Sequence, residues 1–265
     1  MKKITVPQII ARKAGDQAII MLTAYDCLTA RLLDEAGLDI LLVGDSLGMT
    51  ALGYANTLPV TMDEMIHHTR AVAAGRKQAL LVGDMPFMSY NNTRAEAVVN
   101  AGRFVKEGGA EAVKMEDGGD AFLENAAAVI RSGMEVMGHL GLTPQSVHRM
   151  GGFKVQGRGQ EEQLVKRARQ WEKIGCFSLV LEGMPPEVAR AVTEAVRIPT
   201  IGIGAGRHCD GQVLVTADLL GLNGEKVPRF VKRYADLDTR IREAVKKFGA
   251  EVREGAFPAE EHTYK

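Results

Sequence analysis

Two stretches decide the fold: "DILLVGD" at residues 39–45 and "ALLVGDMP" at residues 79–86. Each is an unbroken apolar run that ends on a glycine and a bare carboxylate. A continuous run of about four to eight apolar residues marks a strand covered on both faces, as parallel strands are. The same pattern recurs in "AIIMLTA" (18–24), "AEAVKME" (110–116), "MEVMGHL" (134–140), "FSLVLEG" (177–183), "PTIGIGAG" (199–206) and "GQVLVTAD" (211–218).

Between the runs, apolar residues recur at helical spacing: Met62, Met65, Ile66, Thr69 and Val72; Leu164, Ala168, Trp171 and Ile174; Val188, Val192 and Val196. Thr61 with Glu64, and Thr93 with Glu96, have the spacing of capping boxes. Pro185 and Pro186 suit a first helical turn. Gly37, Gly75, Gly108, Gly133 and Gly175 stand where helices should end. Strands alternating with helices, and no Pro/Ser-rich linker, predict an α/β protein made of a single (β/α)8 TIM barrel over residues 1–265. An open doubly wound sheet is the rival, because strand number alone does not establish closure. The last helical pattern, Phe230, Tyr234, Leu237, Ile241, Val245 and Phe248, falls in a C-terminal helix and tail at about 229–265. It is expected to pack on the barrel or on another subunit.

The 265 residues suffice for one large core, with ordinary apolar (46%) and charged (25%) content. Lys plus Arg equals Asp plus Glu at 33 each, so no overall field draws in nucleic acid or an anionic membrane. No window reaches the ~18 apolar residues of a membrane span, and "MKKITVPQIIARKAG" (1–15) lacks the apolar segment of a signal peptide. Cys27, Cys176 and Cys209 are odd in number and far apart, which fits neither a disulfide framework nor a CxxC metal site. A reduced, cytoplasmic protein is the expectation.

In a barrel, residues at the C-terminal ends of strands face the active site. Those positions hold Tyr25 and Asp26, Asp45 and Ser46, Asp84, Lys114 and Glu116, His139, Glu182, and the glycines of "GIGAG" (202–206). Asp45 or Asp84 alone could be a helix N-cap. Two strands ending in the same "VGD", however, bring two carboxylates into one small space, where they repel unless a cation stands between them. Lys114 and Glu116 are two apart on a strand and share a face; by themselves they could be an internal ion pair. Taken with Asp45 and Asp84 they read as a site for a hard divalent cation. An all-oxygen donor set favours Mg²⁺ over Zn²⁺.

Glu182 could pair with an arginine, or its apolar approach could raise its pKa and suit it to abstract a proton. His139 suits a structural role and a ligand contact equally. His67 and His68 do not share a helix face, "HCD" (208–210) is too short for a metal site, and "GIGAG" fits a phosphate cradle no better than a close backbone approach. A divalent ion and a lysine together can polarise a 2-oxo acid and acidify the carbon beside the ketone, for deprotonation by a nearby glutamate. The residues thus predict an enzyme that forms an enolate from a small keto acid, and leave the electrophile open. A non-catalytic, metabolite-binding barrel is the contrary reading, and the number of ionisable strand ends argues against it.

Motifs along nearly the whole chain resemble a known family. They are "TAYD" (23–26), "VGDSLGM" (43–49), "TLPVT" (57–61), "DMPFMSY" (84–90), "VKME" (113–116), "GHLGLTPQS" (138–146), "GGFKVQGR" (151–158), "LVLEG" (179–183), "IGIGAG" (201–206), "DGQVLV" (210–215) and "FPAEEHTY" (257–264). In order and content they resemble the 3-methyl-2-oxobutanoate (ketopantoate) hydroxymethyltransferases. The resemblance implies a TIM barrel of the phosphoenolpyruvate/pyruvate type. It implies transfer of a one-carbon unit from 5,10-methylenetetrahydrofolate to 3-methyl-2-oxobutanoate (α-ketoisovalerate), giving 2-dehydropantoate and tetrahydrofolate, the first committed step toward pantothenate and coenzyme A. Carried to matching positions, it implies Asp45, Asp84 and Glu116 as ligands of one Mg²⁺ per subunit. Asp45, Ser46, Asp84, Lys114 and His139 become the implied keto-acid contacts, and Glu182 the catalytic base. A homodecamer is implied as well. The alternative is another Mg-dependent, enolate-forming barrel enzyme such as a C–C or P–C lyase. Such lyases carry a cysteine-bearing catalytic loop, where this sequence has "GGFKVQGR".

Overall fold

A computed structural model describes residues 3–15, 17–224 and 227–264. The apolar runs form eight parallel strands: β1 Ile19–Thr23, β2 Ile40–Val43, β3 Leu80–Asp84, β4 Ala112–Glu116, β5 Glu135–Gly141, β6 Ser178–Glu182, β7 Thr200–Ile203 and β8 Gly211–Leu214. Each strand pairs with the next, and β8 returns to β1 with Ile19 opposite Gly211 and Leu22 opposite Leu214. The sheet therefore closes into a barrel, which removes the open doubly wound alternative.

Side chains alternate along a strand, so every second residue points into the barrel. The lower interior is filled in this way by Ile19 and Met21, Ile40 and Leu42, Leu80 and Val82, Ala112, Met137, Val180, Ile201 and Val213, all buried. Val6 and Ile9, from the helix Val6–Ala11, join the same cluster and plug the N-terminal end. The same alternation, continued toward the C-terminal ends, turns Asp84, Lys114, Glu116, His139 and Glu182 inward. The intervening Leu41, Leu81, Val113, Met115, Leu179 and Leu181 point outward and are wholly buried too. That double burial is why the runs read as continuous.

The helix Met62–Gly75 opens on a complete capping box between Thr61 and Glu64, whereas Arg94–Lys106 is capped by Thr93 alone. Their expected faces are buried: Met65, Ile66, Thr69 and Val72 in the first; Ala168 and Trp171 in Glu161–Lys173; Val188 and Val192 in Pro186–Ala195. Gly75 is the last residue of its helix and not a turn glycine. A Cβ there would stand 2.1 Å from the Cys27 carbonyl oxygen, so its role is close helix–helix approach.

Two compact units are distinguished, Met1–Val215 and Thr216–Lys265. In the second, the helix spans Leu237–Glu254, so Phe230 and Tyr234 fall outside it despite their spacing. The Tyr234 N–H donates to Leu219 O and the Leu237 N–H to Leu220 O (2.8 and 3.0 Å), which holds this segment off the helical path. No residue of the helix is buried, and Ile241, Val245, Phe248 and Val252 are roughly half exposed. Among the described residues, no helix is long and apolar enough to cross a membrane.

Candidate active site

Asp45, Ser46, Asp84, Lys114, Glu116, His139 and Glu182 all line one cavity of about 100 Å³ at the C-terminal end of the barrel. Strand alternation delivers five of them. Asp45 and Ser46 follow the end of β2, just before the short helix Leu47–Thr50. Asp45 is not a helix cap. Its main-chain N–H donates to Asp84 Oδ2 (3.3 Å), and its own Oδ2 accepts from Gln145 Nε2 (3.0 Å). Capping falls instead to Asp26, whose carboxylate accepts from the N–H and Oγ1 of Thr29 (2.8 and 2.7 Å). Asp26 is therefore structural. Tyr25 Oη and Ser46 Oγ share a hydrogen bond of 2.8 Å.

Lys114 Nζ donates to Asp84 Oδ1 at 2.6 Å, with both side chains buried. Burial opposes the ammonium, but Asp84, Glu116 and Asp45 together outweigh it and raise the Lys114 pKa. For Asp45, burial and then the neighbouring Asp84 push the carboxyl well above the usual range, against the opposing pull of Lys114 and Gln145. His139 stands between two carboxylates, with Nδ1 3.5 Å from Glu116 Oε1 and Nε2 3.2 Å from Glu182 Oε2. Neither contact is aligned as a hydrogen bond. Burial and Lys114 disfavour the imidazolium, yet Glu116 and Glu182 prevail and push the pKa up to about 9. Glu182 faces this histidine rather than an arginine; its side chain, 19% exposed, is the most accessible of the four carboxylates. The rest of the lining is mostly apolar, with Leu42, Val180, Ile203, Val213 and Val215, and includes the polar Thr23.

Several other motifs are structural. Gly206 of "GIGAG" has φ +77°; a Cβ there would stand 2.7 Å from Pro186 Cβ, and its carbonyl accepts from Gln212 Nε2 (3.0 Å). The loop makes a close backbone approach to Pro186. His68 Nδ1 bonds the main-chain oxygen of Tyr25 (2.6 Å), and Asp210 of "HCD" accepts from Lys13 and Thr200. Gln145 and Tyr90 carry no charge and stand at no strand end, yet Gln145 donates to the carboxylates of Asp45 and Glu116, and Tyr90 Oη accepts from the Glu116 main-chain N–H.

The donor set suits a hard divalent cation. Three carboxylates from β2, β3 and β4 crowd around one lysine, and Glu116 Oε1 is buried without a hydrogen-bond partner. Among the described residues, no three His, Cys, Asp or Glu side chains form a ready-made ion cage. Magnesium does not require one, since it is typically held by one or two carboxylates and keeps several waters.

A model of the ketopantoate hydroxymethyltransferase family matches residues 3–260. The chain belongs to this family. As a ketopantoate hydroxymethyltransferase family member it is an enzyme, a transferase. A relative from Trichlorobacter lovleyi, named 3-methyl-2-oxobutanoate hydroxymethyltransferase, is 53% identical and covers 99% of each chain. One of the same name from Pelobacter propionicus is 54% identical, covering 99% of this chain and 98% of that one. Among solved structures, 2,3-dimethylmalate lyase, a PEP mutase/isocitrate lyase superfamily member, aligns with a TM-score of 0.65 at 17% identity, over 99% of this chain and 90% of that one. Phosphonopyruvate hydrolase, solved with oxalate and Mg²⁺, aligns at 0.63 and 14% identity, over 99% and 93%. The likeness shows that the closed (β/α)8 barrel fold is shared.

Proposed function

We propose that this hydroxymethyltransferase moves a one-carbon unit from 5,10-methylenetetrahydrofolate to 3-methyl-2-oxobutanoate, forming 2-dehydropantoate and tetrahydrofolate on the route to pantothenate and coenzyme A. The observation that carries this reading is the divided cavity: charged groups gather at the C-terminal ends of β2 to β6, above a mostly apolar lining of Leu42, Val180, Ile203, Val213 and Val215. A branched 2-oxo acid has the same division, with its carboxylate and ketone at one end and an isopropyl group at the other. At about 100 Å³ the cavity is too small for a folate; sites enclosing drug-sized ligands run to ~300–1,000 Å³. The keto acid goes inside and the folate donor approaches from the mouth.

Asp45 and Asp84, with Glu116 acting directly or through water, would hold the Mg²⁺, one per subunit. When bound, the ion supplies Lewis-acid polarisation of the ketone and stabilises negative charge developing on its oxygen. Lys114 keeps its proton and offers a hydrogen bond to the same end of the substrate, joined by Ser46. Glu182, on the opposite side, takes the C3 proton. His139 stands 3.2 Å from Glu182 and, when protonated, balances its charge. One bond from the donor methylene to folate nitrogen breaks and C3 bonds to that carbon. Water then displaces the second folate nitrogen and leaves its hydroxyl there, while the proton taken by Glu182 and the one lost by water go to the two nitrogens of tetrahydrofolate. Incubation with both substrates and Mg²⁺ should yield 2-dehydropantoate; folded protein that makes none overturns the reading.

The three cysteines are free, which suits a reducing compartment such as the cytoplasm. We also propose a homodecamer in which the stripe Ile241, Val245, Phe248 and Val252 is a subunit contact. Sedimentation of Phe248→Ser beside the wild type tests this, and an unchanged assembly removes the stripe from the interface.

A further inference from the structure

We infer that Gln145 is a positioning residue that holds two of the site's carboxylates, Asp45 and Glu116, at a fixed spacing and orientation; the inference rests on reading those carboxylates as cation-holding groups. Gln145 lies after β5 in the short 3-10 turn Pro144–Ser146 and is 6% exposed. Its side-chain Nε2 donates to Asp45 Oδ2 (3.0 Å) and to the Met85 carbonyl (2.9 Å). Its main-chain N–H donates to Glu116 Oε2 (3.0 Å). Asp45 follows β2 and Glu116 ends β4, with β3 between them. One residue therefore ties together two like charges on separate strands that would otherwise repel. Both ties are charge-assisted hydrogen bonds, the stronger kind.

The amide can face only one way. Tyr90 Oη accepts from the Glu116 N–H (3.1 Å), so its own proton goes to Gln145 Oε1 (2.8 Å). A flipped amide would set Oε1 against the Met85 carbonyl and the Asp45 carboxylate, where acceptors would face acceptors. Tyr90 itself is wholly buried, and its carbonyl accepts from Asn125 Nδ2 (2.7 Å), so the ring is held in place. The chain Asn125–Tyr90–Gln145–Asp45 is the kind of outer support that orients an acidic ligand before anything binds. One oxygen of Asp45 and one of Glu116 are committed to Gln145, and Glu116 Oε1, which accepts no hydrogen bond, remains for the cavity.

Gln145→Leu keeps most of the volume and the main-chain bond to Glu116, but removes every side-chain bond. Titration of Mn²⁺ or Mg²⁺ into cation-stripped protein, followed by calorimetry without substrate, should show affinity reduced about 10-fold to 100-fold. The exchange of the keto acid's C3 hydrogen should recover toward the wild-type rate at saturating cation, as expected of a residue that positions ligands and touches no reacting atom. Tyr90→Phe, which leaves the ring and removes only the hydroxyl that fixes the amide, should weaken cation binding in the same direction and by less; it decides the matter if Gln145→Leu does not fold. Cation affinity unchanged in the folded variant, with only the melting temperature lowered, would make Gln145 purely structural and overturn the inference. Wild-type protein that binds no divalent cation would instead overturn the metal reading itself.

Discussion

At the N-terminal end of the barrel, Asp34, Asp39, Glu111 and Asp210 stand beside strand starts, and each is met by at least one main-chain N–H. Asp34 accepts from Lys77, Gln78 and Ala79 (2.9, 3.0 and 2.7 Å). Asp39 takes the Ile20 N–H and Arg12, Glu111 the Leu81 N–H and Arg76, and Asp210 the Thr200 N–H and Lys13. At the C-terminal end Asp45, Asp84, Glu116 and Glu182 share one lysine and one histidine, and Glu116 Oε1 is left without a hydrogen bond. Burial works against the charge of Asp34, yet the three N–H bonds and Arg76 outweigh it and hold the carboxyl below its usual range. Burial and Asp84 carry Asp45 the other way. The same residue type is saturated where it holds strands together and left unsaturated where a ligand is to complete it.

The largest effect should come from the mouth. Glu182→Gln should bind the keto acid but lose C3 hydrogen exchange by about 10²- to 10⁴-fold; deuterium wash-in at the wild-type rate would remove Glu182 as the base. At the opposite end, Asp34→Asn should cost about 2–3 kcal/mol in urea unfolding at neutral pH, from charge-assisted bonds lost. The folded pKa of Asp34 lies below the unfolded value of ~3.9, so this stabilisation is complete above that value and is lost as pH falls through the folded one. Wild type and Asp34→Asn should therefore differ fully at neutral pH and converge in strong acid. Asp45→Asn should have the opposite sign: in the presence of a chelator it should stabilise the fold by about 1 kcal/mol, by relieving crowded like charges, while turnover is lost. A fall in stability there would break the contrast between the two ends. The smallest effect belongs to Lys13→Met, about 0.5–1 kcal/mol, because its pair with Asp210 is partly exposed. Its kcat/KM should stay at the wild-type value.

The strands β2, β3, β4 and β6 are easy to read in this sequence because they are covered on both faces, whereas Ile20 of β1 and Gln212 of β8 are exposed. Alternation then carries Asp84, Lys114, Glu116, His139 and Glu182 to a single place, and that convergence is legible from strand ends alone. Asp26 is not distinguishable in this way from Asp45. Both follow a strand, but Asp26 immediately precedes the helix Cys27–Glu35 and caps it, whereas Ser46 intervenes before the helix that follows Asp45. The roles of Gln145 and Tyr90 are not legible in the sequence for another reason. Gln145 meets Asp45 across 100 positions and Tyr90 across 55, and only closure of the barrel brings them together. Phe230 and Tyr234 keep a helical period where hydrogen bonds to Leu219 and Leu220 hold the backbone elsewhere; periodicity records side-chain type and not the backbone path.

Barrel closure also sets a timetable for the nascent chain. β1 has β2 on one side soon after it is made, but its other neighbour is β8, and the Lys13–Asp210 contact spans 197 positions. At translation rates of about 5–20 residues per second, the edge of β1 waits on the order of ten to forty seconds for its partner. An unpaired strand edge is a template for the wrong partner, and the apolar face of Val6 and Ile9 lacks part of its enclosure over the same interval. Chains that stall before residue 214 would leave the ribosome with that edge still open.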